Sequence, residues 1–221
     1  MKVLSWIAIV LLPINVHAAG QIPVEVSVGH ERLQHEILAF APLDESGRFS
    51  LFTQGRFSRA FDQDNSVDSV LLATQAIYNL TDFLGVALGA SADRFTGVSP
   101  LAGLSLEYAD LGSGLVVNLF PSYVVALDDE GEDILDVYLL VFYQPSTEGR
   151  IWRLFAQLQS GFGFSAESGD YGYSYGYARI GPNYRDELQF GFAADIDHVA
   201  ATPFSESVTE TNFGVFIRTV L

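Results

Sequence analysis

The chain has 221 residues, no cysteine, and 27 acidic against 11 basic side chains, a formal charge of −16 at pH 7. That sign disfavours nucleic-acid binding, because phosphate neutralisation needs basic groups; the lack of thiols excludes disulfide frameworks, thiolate-held metals, a cysteine nucleophile and a lipidated cysteine. A positive mean hydropathy with 17 Phe, 10 Tyr and 20 Gly beside so much negative charge is unusual for a soluble globule and ordinary for a membrane barrel with an apolar exterior and acidic loops.

The first residues give Lys2, an apolar run from Val3 to Leu12 interrupted only by Ser5, then Pro13 and the small-x-Ala triplet Val16, His17, Ala18. This pattern predicts a secretory signal peptide, 1–18, cut after Ala18 and leaving 19–221 as a single domain. Its apolar stretch is well short of the roughly 18 to 20 residues of a spanning helix. Loss of Lys2, the only lysine, leaves 10 Arg against 27 Asp and Glu, a charge of −17. Every later apolar stretch is broken within a few residues by Gly, Asp, Arg, Gln or Asn, which excludes a helical membrane protein.

From there the chain reads as strands. Alternate side chains of a barrel strand face lipid and lumen, so apolar residues recur with period two over about ten residues. Weak versions of this pattern cover 24–31 and 36–41, the second short and poorly alternating. In 48–58, Phe49, Leu51, Thr53, Gly55 and Phe57 take one face while Gln54 and Arg56 take the other. Residues 70–78 follow, and then 83–93, with Leu84, Val86, Leu88, Ala90 and Ala92 opposite Gly85, Ala87, Gly89, Ser91 and Asp93. Weaker segments at 101–108, 115–127, 134–143 and 151–164 lead to a tyrosine-rich run from Tyr171 to Arg179. The sharpest split is at 187–198, where Leu188, Phe190, Phe192, Ala194 and Ile196 oppose Glu187, Gln189, Gly191, Ala193, Asp195 and Asp197. With the C-terminal segment the count is about twelve, or ten as the alternative, and predicts an all-β, closed, antiparallel up-and-down transmembrane β-barrel. A soluble periplasmic β-sandwich is the competing fold.

Turn residues and acid runs fall between the strands. Short turns are predicted at 79–82, 110–114 and 182–186, and more acidic loops at 62–68, 128–133 and 199–209. If the chain starts in the periplasm, the acidic loops mostly fall outside, as in transmembrane barrels. Proline cannot donate to a ladder, and a closed barrel has no free edge for it. Pro23, Pro42, Pro100, Pro145, Pro182 and Pro203 are therefore expected at strand ends, turns or loops, whereas Pro121 falls inside 115–127 and requires a bulge or a strand break.

The last residues alternate Phe213, Val215, Ile217, Thr219 and Leu221 with Gly214, Phe216, Arg218 and Val220. This ending resembles the C-terminal strand of Gram-negative bacterial outer-membrane β-barrel proteins. The resemblance implies a location in the bacterial outer membrane and an insertion signal, formed by Phe213, Val215, Ile217 and Leu221, that the outer-membrane insertion machinery reads. It also implies the lipid bilayer and lipopolysaccharide as partners, and carries over no catalytic or ligand-binding residue.

Three other features invite chemistry. His30, His35 and His198 are the available bases, but none has a serine two residues away, and a single His at a strand end reads as an interfacial side chain. Asp128, Asp129, Glu130, Glu132 and Asp133 offer oxygen ligands without the ordered spacing of a calcium loop, so they read as a solvated loop, and no cofactor or metal is expected. In the run Tyr171, Tyr173, Tyr175, Tyr177 and Arg179, the tyrosines either join an aromatic girdle facing lipid or line the lumen as a sugar-binding track.

The polar faces collect Gln54, Arg56, Asp93, Glu107, Arg153, Gln157, Glu187, Gln189, Asp195, Asp197 and Arg218 as lumen-lining candidates, with Gln75, Asn118 and Gln159 beside them. Charges of both signs are costly in a dry core unless paired, so the interior is expected to be wet, laced with ion pairs, or both. Twelve strands lie between the small barrels that side chains fill and the large ones that leave a wide pore. The expected function is a narrow channel for small solutes, neutral or cationic ones favoured because acidic mouths focus a negative potential. The alternatives are a non-conducting structural or ligand-binding barrel and, below that, an outer-membrane lipid-modifying enzyme.

Overall fold

The computed structural model of the protein describes residues 22–61, 69–93, 97–110, 112–127, 131–145, 150–201 and 206–220, so the expected leader 1–18, Pro203 and Leu221 lie outside the described residues. The described residues form twelve strands: β1 (Pro23–Gly29), β2 (Arg32–Pro42), β3 (Phe49–Ala60), β4 (Ser69–Asn79), β5 (Leu84–Asp93), β6 (Gly97–Asp110), β7 (Leu115–Val124), β8 (Ile134–Tyr143), β9 (Trp152–Ser165), β10 (Tyr171–Tyr184), β11 (Leu188–Val199) and β12 (Val208–Val220). Each pairs antiparallel with its chain neighbours, and β12 returns to β1 to close the barrel. Closure leaves no free strand edge, which satisfies every ladder inside a membrane. The segment with the poorest predicted pattern, 36–41, is a full strand of 11 residues. Its inward side chains Arg32, Gln34, Glu36 and Leu38 are all buried.

Alternation sorts the side chains as period two requires. Leu88, Leu104, Leu135, Leu158, Ile180, Phe192, Ile196, Val215 and Ile217 stand exposed on the outer face. An apolar belt of this kind is stable only against hydrocarbon. Aromatic pairs flank it. Toward the end that carries both termini, Phe49 meets Tyr78 at 5.0 Å and Trp152 meets Tyr184 at 4.8 Å between ring centroids. Toward the opposite rim, Tyr171 packs on Phe164 and His198.

The tyrosine run is divided between the two predicted faces. Phe164 pairs with Tyr171 but Gly163 pairs with Tyr173, a one-residue register shift. Such a slip turns every following side chain to the other face. Tyr171 therefore stays outside, while Tyr173, Tyr175 and Tyr177 point into the lumen with Arg179. Gly161 and Gly163 make room for them: a Cβ there would sit 2.3 Å from the Tyr175 ring and 2.2 Å from the Tyr173 ring.

Three prolines depart from expectation. Pro100 and Pro182 lie within β6 and β10, not in turns, and Pro121 lies within β7 without bulging or breaking it. On the β6 side, pairing stops after Gly103 opposite Ser122 and resumes in the same register at Leu106 opposite Leu119. On the β8 side it is continuous, with Pro121 opposite Val137. Pro182 repeats the arrangement, with a gap toward β11 and an unbroken ladder to β9. Pro121 and Pro182 thus each turn the missing N–H toward one neighbour only, and a glycine on that neighbour, Gly103 or Gly191, lets the backbones approach. A Cβ on Gly103 would lie 2.4 Å from the Pro121 carbonyl oxygen.

The strands that flank the acidic stretches 62–68 and 128–133 meet them at the rim opposite the termini, although 62–68 and Asp128, Asp129 and Glu130 are themselves outside the described residues. The other connections lie at the termini-bearing end. In one of them, 185–187, Arg185 and Asp186 have φ of 53° and 62°. Glu187 is exposed in that turn, so it leaves the lumen-lining set: its strand begins one residue later, at Leu188.

Candidate functional site

The inward faces meet across the barrel. Gln159 on β9 is the hub: its Oε1 accepts from Gln54 Nε2 at 2.9 Å, Arg56 Nη2 at 3.1 Å and the Tyr138 hydroxyl at 3.0 Å, and its Nε2 donates to Glu36 Oε2 at 2.9 Å. Arg56 Nη2 also donates to Glu36 Oε1 at 3.0 Å. β2 and β3 stand on the wall opposite β8 and β9 in the strand order, so this cluster spans the lumen. The Arg56 guanidinium lies 3.6 Å from the centroid of the Tyr177 ring, a cation–π contact that covers its other face. Against the bridge lies an aromatic layer, with Phe52 stacked on Phe120 at 4.9 Å and both rings against Tyr138.

A second network backs the seam between β12 and β1. Glu25 accepts from Arg179 Nε at 2.6 Å and from Arg218 Nη2 at 2.6 Å. Arg179 also pairs with Asp195, and Asn212 Nδ2 donates to Asp195 at 3.3 Å. Nearer the loop-rich rim, Arg32 pairs with Asp197, which also accepts from the Tyr177 hydroxyl. Arg32, Arg56, Arg179 and Arg218 are thus matched by Glu25, Glu36, Asp195 and Asp197. Only such pairing offsets the desolvation of buried ions.

Toward the termini lies a cavity of about 590 Å³. Leu38, Phe52, Val116, Phe120, Leu140, Phe142 and Phe155 form its apolar wall, Glu107, Asn118, Gln189 and Arg218 its polar one, and Pro23, Gly114 and Gln144 its rim. The Oδ1 of Asn118 is buried and has no hydrogen-bond partner among the described residues.

Of the predicted lumen residues, Gln54, Arg56, Gln157, Gln189, Asp195 and Arg218 are buried inside the barrel, whereas Asp93, Glu107, Arg153 and Asp197 are partly exposed. Arg153 pairs with Asp186 at 3.3 Å near the termini-bearing rim. Sequence reasoning missed Glu25, Arg32 and Glu36, which occupy the alternate positions of β1 and β2 between Val24, Val26, Leu33 and Ile37, a signal that was available. Phe213, Val215 and Ile217 of the expected insertion signal stand exposed on the outer face. The histidines are dispersed. His30 Nδ1 accepts from the Phe213 N–H at 3.0 Å, His198 Nδ1 lies 2.7 Å from Thr209 Oγ1, and His35 is exposed on β2. In the acidic loop, Asp133 accepts from the Tyr123 hydroxyl and from the Ala126 N–H at 2.9 Å.

A closed antiparallel barrel with an apolar belt and a polar, ion-paired lumen defines a bacterial outer-membrane β-barrel protein. No known family profile matches the chain, and no curated protein does. Among solved structures, the NanC porin superposes over 92% of this chain and 100% of its own, with a TM-score of 0.51 at 10% identity. A bacterial polysaccharide outer membrane secretin covers 93% of this chain and 99% of its own, with a TM-score of 0.43 at 8% identity. LpxR from Salmonella typhimurium covers 90% and 99%, with a TM-score of 0.39 at 10% identity. At such identities the NanC likeness establishes the fold alone.

Proposed function

We propose that this protein is an outer-membrane barrel shut across its middle at rest, a ligand-binding or structural barrel and not an open pore. The observation that carries this reading is the Gln159 hub, which ties opposite walls together with hydrogen bonds and rests on the Phe52, Phe120 and Tyr138 layer. Water or ions crossing it would have to separate buried charge pairs, which costs several kcal/mol. Planar-bilayer recording of the folded protein tests it. The expected result is no steady conductance, with openings appearing in Gln159→Ala combined with Phe52→Ala; a steady open current from the unaltered protein overturns the reading.

The second reading is the narrow channel for small neutral or cationic solutes. It is supported by the polar, two-signed character of the bridge, which gives passing solutes exchangeable hydrogen bonds. In that case liposomes carrying the protein swell in small sugars or cationic solutes, and the reversal potential favours cations. In either case the bilayer, lipopolysaccharide and the insertion machinery are the partners we propose, on the strength of the apolar belt and the exposed Phe213, Val215 and Ile217.

A further inference from the structure

The cavity beneath the bridge is more selective than its size suggests. Its volume lies in the range of small-molecule sites, which are mostly apolar with a few placed polar groups. Here the polar groups divide unequally. Arg218 is spent: its Nε and Nη2 donate to Glu25, and its Nη1 donates to Gln189 Oε1 at 3.3 Å. It therefore offers an entering anion little. Glu107 and Asn118 are different. They face each other across β6 and β7 as a directly paired couple, and both line the cavity. Asn118 is 8% exposed, with its Oδ1 unpartnered, and among the described residues no hydrogen bond or ion pair reaches the Glu107 carboxylate. Two acceptors thus converge on one wall, opposite rings and aliphatic side chains.

We infer that this cavity binds a small apolar amine, its protonated nitrogen donating to Glu107 and Asn118 and its hydrocarbon body lying against Phe52, Phe120, Leu140 and Phe155. An ammonium group satisfies a carboxylate and an amide oxygen together, which neither a carboxylate ligand nor a plain hydrocarbon does. The site rests on the closed lumen, because an open pore would make the cavity a passage.

The test is calorimetric titration of the barrel in lipid nanodiscs with 4-phenylbutylammonium, 4-phenylbutyrate and 4-phenyl-1-butanol, using empty nanodiscs as blanks. The ammonium compound should saturate, and the carboxylate should bind weaker by about tenfold or more. Glu107→Gln and Asn118→Leu should each weaken the amine by a similar factor, and Val116→Trp, which fills the cavity, should remove binding of all three. Equal binding of amine and carboxylate, unchanged affinity in folded Glu107→Gln, or no heat above the blank overturns the site. The ligand series on the unaltered chain decides the matter even where a variant fails to fold. Conductance of the same preparation reads the closed lumen separately, so failure of one reading is distinguishable from failure of the other.

Discussion

Arg56 shows how much one interior residue holds. It pairs with Glu36, donates to Gln159 and covers the Tyr177 ring, so Arg56→Met leaves Glu36 as a buried, unmatched charge. The expected loss is about 3–5 kcal/mol of stability, and Arg56→Met with Glu36→Leu should recover most of it; urea unfolding in lipid vesicles measures both. A surface carboxylate behaves differently. The hydroxyl of Ser46, and then the Phe49 N–H at 2.9 Å, hold Asp44 below its ordinary carboxylate range. Because its folded value is depressed, its contribution is complete above the ordinary range and disappears as pH falls through the lowered value. The melting-temperature gap between the unaltered protein and Asp44→Ala should therefore be full at neutral pH and close in acid.

Among the elements, strand count and most strand positions were legible, since lipid and lumen impose period two on every segment. What escaped was local. β2 was legible only from Glu36, because its first inward residues, Arg32 and Gln34, are polar and give a clear pattern only beside β1, which alternates Glu25 and Ser27 in the same way. The facing of the tyrosines depended on a single skipped residue after Tyr171, which repeated Tyr-x-Tyr spacing does not mark. Pro121 and Pro182 were judged by their missing donor alone, whereas the ladder loses contact on one side only and a nearby glycine absorbs the crowding. Gly103→Val should therefore block β6 from seating on β7, seen as loss of the compact, detergent-resistant band after refolding. Ala102→Val, one residue away and facing lipid, should refold normally.

For the whole molecule, the sequence showed a polar lumen but not whether its walls touch. That depends on pairs such as Gln159 with Glu36, 123 residues apart, which no local pattern encodes; the cavity shares this origin, whereas Glu107 and Asn118 face each other across a single hairpin. A barrel whose termini face the periplasm would carry most of the acid of its connections on the outside. Glu167→Cys, in the exposed turn between β9 and β10, should react with an impermeant maleimide on intact cells, while Ser113→Cys, at the other end, should react only after the outer membrane is breached. With most of the luminal ions paired, the larger part of the surplus negative charge gathers at one rim. A chain that enters the bilayer from the side of its termini must drag those carboxylates through hydrocarbon before the last strand docks, a passage that is costly for ionised groups. Spontaneous insertion into neutral vesicles should then quicken as the medium is acidified toward carboxylate protonation and slow when anionic lipid is added, and stopped-flow light scattering would register both trends.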